Sequence, residues 1–355
     1  MGVDTARGLA VLGMMTAHVG PDDTWRTVPP GGWSQLADGR PSALFVLLAG
    51  VGLALLSGGA EPVDGTRLVQ ARLRILVRAV LLVVLGTALV LLDTPVVVIL
   101  VVYAALFVAG VAVLRWPRWA LVAAAGVLAV GGAAVQHLLA PHVTLVDVRP
   151  LDLLSVLLGS YYPAIVWCAY VLVGLAVGRS DLRSGRTHAA LAAWGAGLVV
   201  LGHGGAWALR LLLGQVTELT TAEPHSSTFF EVTGNTGTGL LLLAVCLAVG
   251  AHWPRALAPV SATGALALTA YTGHLVVIAL LGDEVVREST VAGWAAFLLV
   301  TVAACWLWHL LVGRGPLEWL LHAISVRAAD VAPDAVPPRR GEQVEATTPA
   351  GAPDA

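Results

Sequence analysis

The stretch VDTARGLAVLGMMTAHVG carries the residue types best suited to chemistry. Arg7 and His18 are separated by ten residues, and Asp4 stands just before the arginine. On a helix, a rise of about 1.5 Å per residue sets His18 roughly 16 Å beyond Arg7. Imidazole changes charge near neutral pH, so a histidine there can take a proton from an incoming hydroxyl or amine. A histidine bonded to a neighbouring helix for packing alone would look the same. His274, in LTAYTGHLVV beside Tyr271, either completes a cavity or satisfies a buried hydrogen bond. Two polar clusters sit where apolar runs begin: Asp38 and Arg40 in DGRPSALF, and Glu231 and Asn235 in EVTGN. Helix capping would use the same residue types at the same places.

The remaining candidates are weaker. His203 and His309 lie deep in apolar runs, where interhelical hydrogen bonds are the default, while His137, His142, His188, His252 and His322 approach segment ends. No HExxH zinc pattern and no GxxxxGK[ST] phosphate loop occurs, so no metal is expected. Cys168, Cys246 and Cys305 lie singly in apolar runs, which argues against a disulfide framework.

The elements that must position these residues are set by composition. Hydrophobic residues make up 57% of the 355, charged residues only 12%, and the mean hydropathy is +0.83. Soluble domains carry about 25% charge, so this chain cannot cover a water-facing surface, whereas a bilayer removes that difficulty. The fold class expected is all-α, a polytopic membrane protein of about ten transmembrane helices. The apolar runs fall at approximately 5–20, 41–59, 73–92, 95–114, 118–139, 160–178, 188–213, 235–252, 258–281 and 290–313. The first run ends in HVGPDD without a small-residue cleavage site, so it reads as a retained span rather than a signal peptide. All 20 basic residues are arginine; fifteen fall on one set of alternating segments and five on the other. Positive charge accumulates on the cytoplasmic side, which places both termini in the cytoplasm of a multi-pass protein of the plasma (inner) membrane. GPLEWLLHAIS (315–325) spaces Leu317, Leu320, Leu321 and Ile324 as an amphipathic surface helix would. Residues 1–325 therefore form the membrane domain, and the Pro- and Ala-rich residues 326–355 a disordered cytoplasmic tail. The longer outer loops, about 20–40 with Trp33 and 214–234 with His225, are candidate substrate contacts.

The opening D-x-x-RG-x-A, with a histidine eleven residues after the arginine, resembles the broad family of membrane acyltransferases, in which an Arg-x10-His pattern on the first helix marks the active site. Further landmarks resemble its YeiB-like branch, related to the catalytic domain of heparan-alpha-glucosaminide N-acetyltransferase. They are DGRPSALFVLLAGVGLAL (38–55), YYPAIVWCAYVLVGLAVGR (161–179), STFFEVTGNTGTGLLLL (227–243), VSATGALALTAYTGHLVV (260–277) and GPLEWLL (315–321). In family order they cover the chain from Val3 to about His322. The resemblance implies acetyl-CoA or another acyl-CoA as donor, bound from the cytoplasm. It implies transfer to a hydroxyl or amine of an extracytoplasmic sugar or glycan in the cell envelope, and a homodimer. In that acetyltransferase a loop histidine is catalytic; here the corresponding stretch holds Pro29, Pro30 and Gly31, so His18 stands in its place.

Under that resemblance the arginines gain a role. Coenzyme A carries phosphates at one end, and phosphates favour arginine forks. Arg7, Arg72, Arg74, Arg78, Arg115 and Arg179 are the expected donor-binding residues, although the positive-inside rule alone would also put arginines there. His18 is the expected catalytic base with Asp38 orienting it or the acceptor; Arg40, Glu231, Asn235 and His274 are expected acceptor contacts. Two other readings compete. A transporter or flippase would use His18, His203, His274 and His309 as an intramembrane path, though no internal repeat supports it. A haem protein would pair such histidines as axial ligands. No nucleic-acid partner is expected.

Overall fold

The computed structural model describes residues 1–21, 37–139 and 152–331. Trp33, Arg26, Pro29, Pro30, Gly31, His142, Arg149, Arg339 and Arg340 lie outside the described residues, as does the tail from 332 onward.

Among the described residues every regular element is helical. In chain order these are α1 (Gly2–Val19), α2 (Arg40–Leu56), α3 (Gly65–Val90), α4 (Leu100–Ala112) and α5 (Arg118–Leu139). Next come α6 (Leu153–Leu158), α7 (Ala164–Gly178), α8 (Gly185–Leu213) and α9 (Phe229–His252). The last are α10 (Ala258–Ala265), α11 (Ala267–Leu281), α12 (Glu284–Arg287), α13 (Val291–Leu311) and α14 (Pro316–Ala328).

Five of these, α3, α5, α8, α9 and α13, are long and apolar enough to cross a membrane, and a sixth if α10 and α11 count as one span. α2, α4 and α7 are apolar but shorter. The outer helices turn apolar side chains outward: Leu212, Leu299, Leu310 and Leu311 are all exposed. Water would penalise such a surface and lipid does not. The protein is therefore a membrane protein built around α1, α2, α7 and α9, whose buried faces include polar side chains such as Thr5, Ser42, Asn235 and Thr236.

Small residues set how closely the inner helices approach. A Cβ on Gly8 would run into the Val260 carbonyl oxygen of α10, and one on Gly174 of α7 into the Leu47 carbonyl oxygen of α2. Backbones can meet at these crossings only because both positions lack a side chain. α1 and α9 run antiparallel: Gly2 lies against Leu247, near the end of α9, while His18 at the other end of α1 is within electrostatic reach of His225, just before α9 begins. The bundle thus has an Arg7 end and a His18 end.

The span expected at 258–281 is not one straight helix. It is two helices, α10 and α11, bent by 82° at Leu266. Two backbone N–H groups at the break, Leu268 and Thr269, donate to Glu318 Oε1 at 2.7 and 3.0 Å, and Thr269 Oγ1 donates to Glu318 Oε2 at 2.5 Å. An average over hydropathy cannot see the break, because a remote carboxylate from α14 caps the new helix. α14 itself begins where the amphipathic pattern starts and continues to Ala328.

Candidate functional site

α1 delivers His18 in its last turn, and α11 delivers His274 at mid-length. His18 Nδ1 lies 3.0 Å from His274 Nε2, and the rings stack at 5.3 Å between centroids and 11° between planes. One ring donates its N–H to the other's lone pair. His274 is buried, and its Nδ1 lies over the Ala270 and Tyr271 carbonyls without a well-formed hydrogen bond. Tyr271 packs edge-on against His274 at 5.1 Å. The direct bond between the rings holds no iron-sized gap, which sets this pair apart from a bis-histidine haem site.

The loop between α8 and α9 closes over the same end. Thr228 caps α9, and Glu231, three residues on, reaches back as in a capping box. Its carboxylate accepts from His225 N–H at 2.7 Å, Ser227 N–H at 2.6 Å, Ser226 Oγ at 3.3 Å and Asn235 Nδ2 at 3.3 Å. His225 and Ser227 both have positive φ, 61° and 55°, a conformation unfavourable for residues with a Cβ. The carboxylate offsets that strain. Asn235 also bonds Tyr170, so Glu231 and Asn235 are engaged in holding the loop.

What they hold is His225. Its Nδ1 lies 3.1 Å from the Tyr161 carbonyl, and its ring stacks parallel to Trp167 at 6.3 Å with Tyr161 and Tyr162 edge-on. Burial pushes the His225 imidazole below its ordinary value of 6.5, so it is neutral at neutral pH. It lies within electrostatic reach of His18, while Asp38 and Glu231 act on Arg40. The His18 end therefore gathers His18, His274, Asp38, Arg40, Glu231 and Asn235, six residues spread over four separate segments. His203 is near Arg40 too, packed against Gly234, whereas His309 is exposed and bonds the Gly313 carbonyl at 3.1 Å. The four deep histidines form no continuous path.

At the Arg7 end a cavity of about 260 Å³ lies among α1, α2, α3, α4, α11 and α14. Arg7, Arg78 and Glu318 line its polar part, and Phe45, Leu100 and Tyr103 its apolar depth. Arg7 pairs with Asp4 at 3.1 Å; Arg78 Nε approaches Ser325 Oγ at 3.4 Å. Tyr103 donates to the Phe45 carbonyl at 2.5 Å. Along α11 the cavity-lining Leu268, then Tyr271, then His274 follow in order, so the histidine lies about 9 Å beyond the cavity wall by helix rise.

The other expected donor arginines separate. Arg72 and Arg74, on α3, have buried Nε atoms without a hydrogen-bond partner. Arg115 is exposed and bridges Asp64 at 2.9 Å. Arg179 is buried, and its fork donates to the carbonyls of Ala54, Ser57, Gly59 and Leu114 and to Ser57 Oγ at 2.5–3.3 Å. It ties α7 to the ends of α2 and α4.

Sequence reasoning placed His225 only within a candidate substrate loop, and it did not mark Tyr103 or Glu318. Beyond that loop's polarity no local signal marks them, because each acts on residues distant in the chain. Residues 1–213 match the family model described as heparan-alpha-glucosaminide N-acetyltransferase, catalytic, and residues 177–328 match one described as a protein of unknown function (DUF418). No curated protein matches the chain.

Proposed function

The chain belongs to the family of the heparan-alpha-glucosaminide N-acetyltransferase catalytic domain, and on that premise we propose that it moves an acyl group, acetyl first of all, from acyl-CoA to a hydroxyl or amine of a sugar or glycan. The reading takes the Arg7 end as cytoplasmic, both termini there, and ten crossings of the plasma membrane. The observation that carries it is the arrangement along α1: a proton-accepting pair at one end, and a cavity with arginines at its rim at the other.

In this reading the donor phosphates meet Arg72, Arg74 and Arg78, with Arg7 at the cavity mouth and Arg115 on the outer rim. The thioester arm extends along the apolar cavity toward Tyr271. Arg179 is left out of the donor set, because both its terminal nitrogens are already bonded to backbone carbonyls and Ser57. At the far end, the His18 Nδ1–H donates to His274 Nε2, whose own proton sits on Nδ1 facing the Ala270 and Tyr271 carbonyls. His18 Nε2 is then a free lone pair. It takes the proton from the acceptor, the acceptor oxygen or nitrogen attacks the thioester carbonyl, and the carbon–sulfur bond breaks. Coenzyme A leaves as a thiolate and takes the proton back from the imidazolium. His274 acts as a positioning residue, fixing the tautomer of His18. Asp38 and Arg40 orient the acceptor, and Glu231 and Asn235 serve it by holding the His225 loop.

The break between α10 and α11 favours a second reading, because discontinuous helices occur at transporter binding sites. One experiment separates the two. Detergent-purified protein is titrated with acetyl-CoA by calorimetry, and release of coenzyme A is followed without acceptor. Saturable binding and slow hydrolysis, reduced about 10³-fold in His18→Ala, are the expected results. No binding by folded protein would leave the transporter reading standing.

A further inference from the structure

A second, larger cavity of about 870 Å³ lies beside the histidine pair. Gly273 and Val277 of α11 form one wall, and Ala296, Val300 and Ala304 of α13 the other. His274 lines it, as does Val19, the residue after His18. Val277 and Val300 are both wall residues and exposed at the bundle flank, so the cavity opens sideways between two helices. The opening follows from how α13 is held. Trp294 Nε1 donates to Thr16 Oγ1 at 3.1 Å near its start, α10 packs on it further along, and Cys305 is its one buried residue. Between those attachments α11 faces the groove instead of a neighbouring helix.

Two physical facts narrow the occupant. An opening in the flank of a membrane bundle faces hydrocarbon, so what enters is a lipid chain; the volume lies within the range of about 300–1,000 Å³ of ligand pockets. At the His18 end the groove is rimmed by Glu284, Glu288, Ser289 and Thr290. Nearby Arg287 is paired with Asp283 at 3.3 Å, so the rim stays acidic. Carboxylates repel a phosphate head group and accept hydrogen bonds from uncharged hydroxyls.

We propose that the acceptor is an uncharged glycolipid, its hydrocarbon chain lying in the groove between α11 and α13 and its sugar hydroxyl reaching His18. The proposal rests on the acyl-transfer reading and names the acceptor class of that same site. A lateral approach brings the acceptor to the pair from the bilayer, while the donor cavity opens at the Arg7 end.

The test uses the full chain in nanodiscs. Glucosyl diacylglycerol with a photoreactive diazirine in its chain is irradiated with the protein, and phosphatidylglycerol with the same chain serves as control. Adducts on α11 and α13, at least tenfold more frequent with the glycolipid, are expected. Ala296→Trp and Val300→Trp fill the groove from the α13 side. They should remove the adducts and lower acetyl transfer to glucosyl diacylglycerol at least tenfold, with acceptor-free acetyl-CoA hydrolysis unchanged. Equal labelling by phosphatidylglycerol, adducts spread evenly over the outer helices, or crosslinks between the α13 helices of two copies would overturn the proposal. So would methyl glucoside accepting acetyl as well as the glycolipid does. Loss of both acetyl-CoA binding and hydrolysis in the unaltered protein would strike the acyl-transfer reading instead, and the labelling would still report on the groove.

Discussion

The two ends of α1 are built differently. At the His18 end nearly every polar group is held by another: His18 by His274, the 225–227 backbone by Glu231, Glu231 by Asn235, and Asn235 by Tyr170. At the Arg7 end Arg7 and Arg78 line the cavity, and on the same helix as Arg78 the buried Nε atoms of Arg72 and Arg74 make no hydrogen bond. A network of fixed hydrogen bonds can hold a proton acceptor to a fraction of an ångström, which proton transfer demands. A rim of loosely held cations suits a flexible polyanion that must enter and leave. Arg179 sharpens the contrast, because its Nε is also unpartnered and yet its two terminal nitrogens are fixed by four carbonyls and Ser57.

That contrast can be broken by mutation. The largest effect is expected at Arg179. Arg179→Met leaves four carbonyls and Ser57 without their donor and should cost about 3 kcal/mol or more, read as a lower melting temperature in detergent. Coenzyme A affinity in the fraction still folded should not change; a loss of affinity would move Arg179 into the donor site. His274→Ala comes next. Freed of its partner, His18 keeps its base but loses its fixed tautomer, and kcat should fall about 10- to 100-fold, as for outer-shell partners of other histidines. KM for the donor should stay unchanged, and a change confined to KM would make His274 a binding residue. Neutralising Arg72, Arg74 and Arg78 together should weaken coenzyme A binding about tenfold or more, equivalent to about 1.4 kcal/mol, with kcat at saturation preserved. Unaltered affinity in a folded triple variant would end their assignment to phosphate.

The smallest effect is a pH dependence of the loop. His225 is buried neutral, with its value lowered from 6.5. In the unfolded loop it binds a proton more readily than in the folded one. The loop's stability is therefore present above about pH 6.5 and is lost as pH falls below it. Proteolysis between 214 and 228 should accelerate on acidification, and His225→Gln should flatten that profile. An unchanged profile would mean that another group controls the loop.

Much of the helical framework was legible in the residues. The apolar runs coincide with helices because 20-residue apolar segments must satisfy their backbone internally in lipid. The first helix, with Arg7 and His18 at opposite ends, follows from spacing alone. The break at Leu266 was not legible, because its cap comes from Glu318, far along the chain. Nor could Arg179 be told from Arg72 or Arg74: a rim arginine and an arginine clamp have the same local sequence character, and only the carbonyls around them differ.

The sequence by itself determined the solvent of this protein, its helices, and the one helix that links a cation to an imidazole, because those properties depend on composition and on spacing within a segment. Only the tertiary structure decided that His18 meets His274, that Glu231 grips a loop rather than standing open, and that a groove opens between α11 and α13. Each of these depends on where separate helices cross, and those crossings are set by side-chain volumes at contacts between residues up to 278 positions apart.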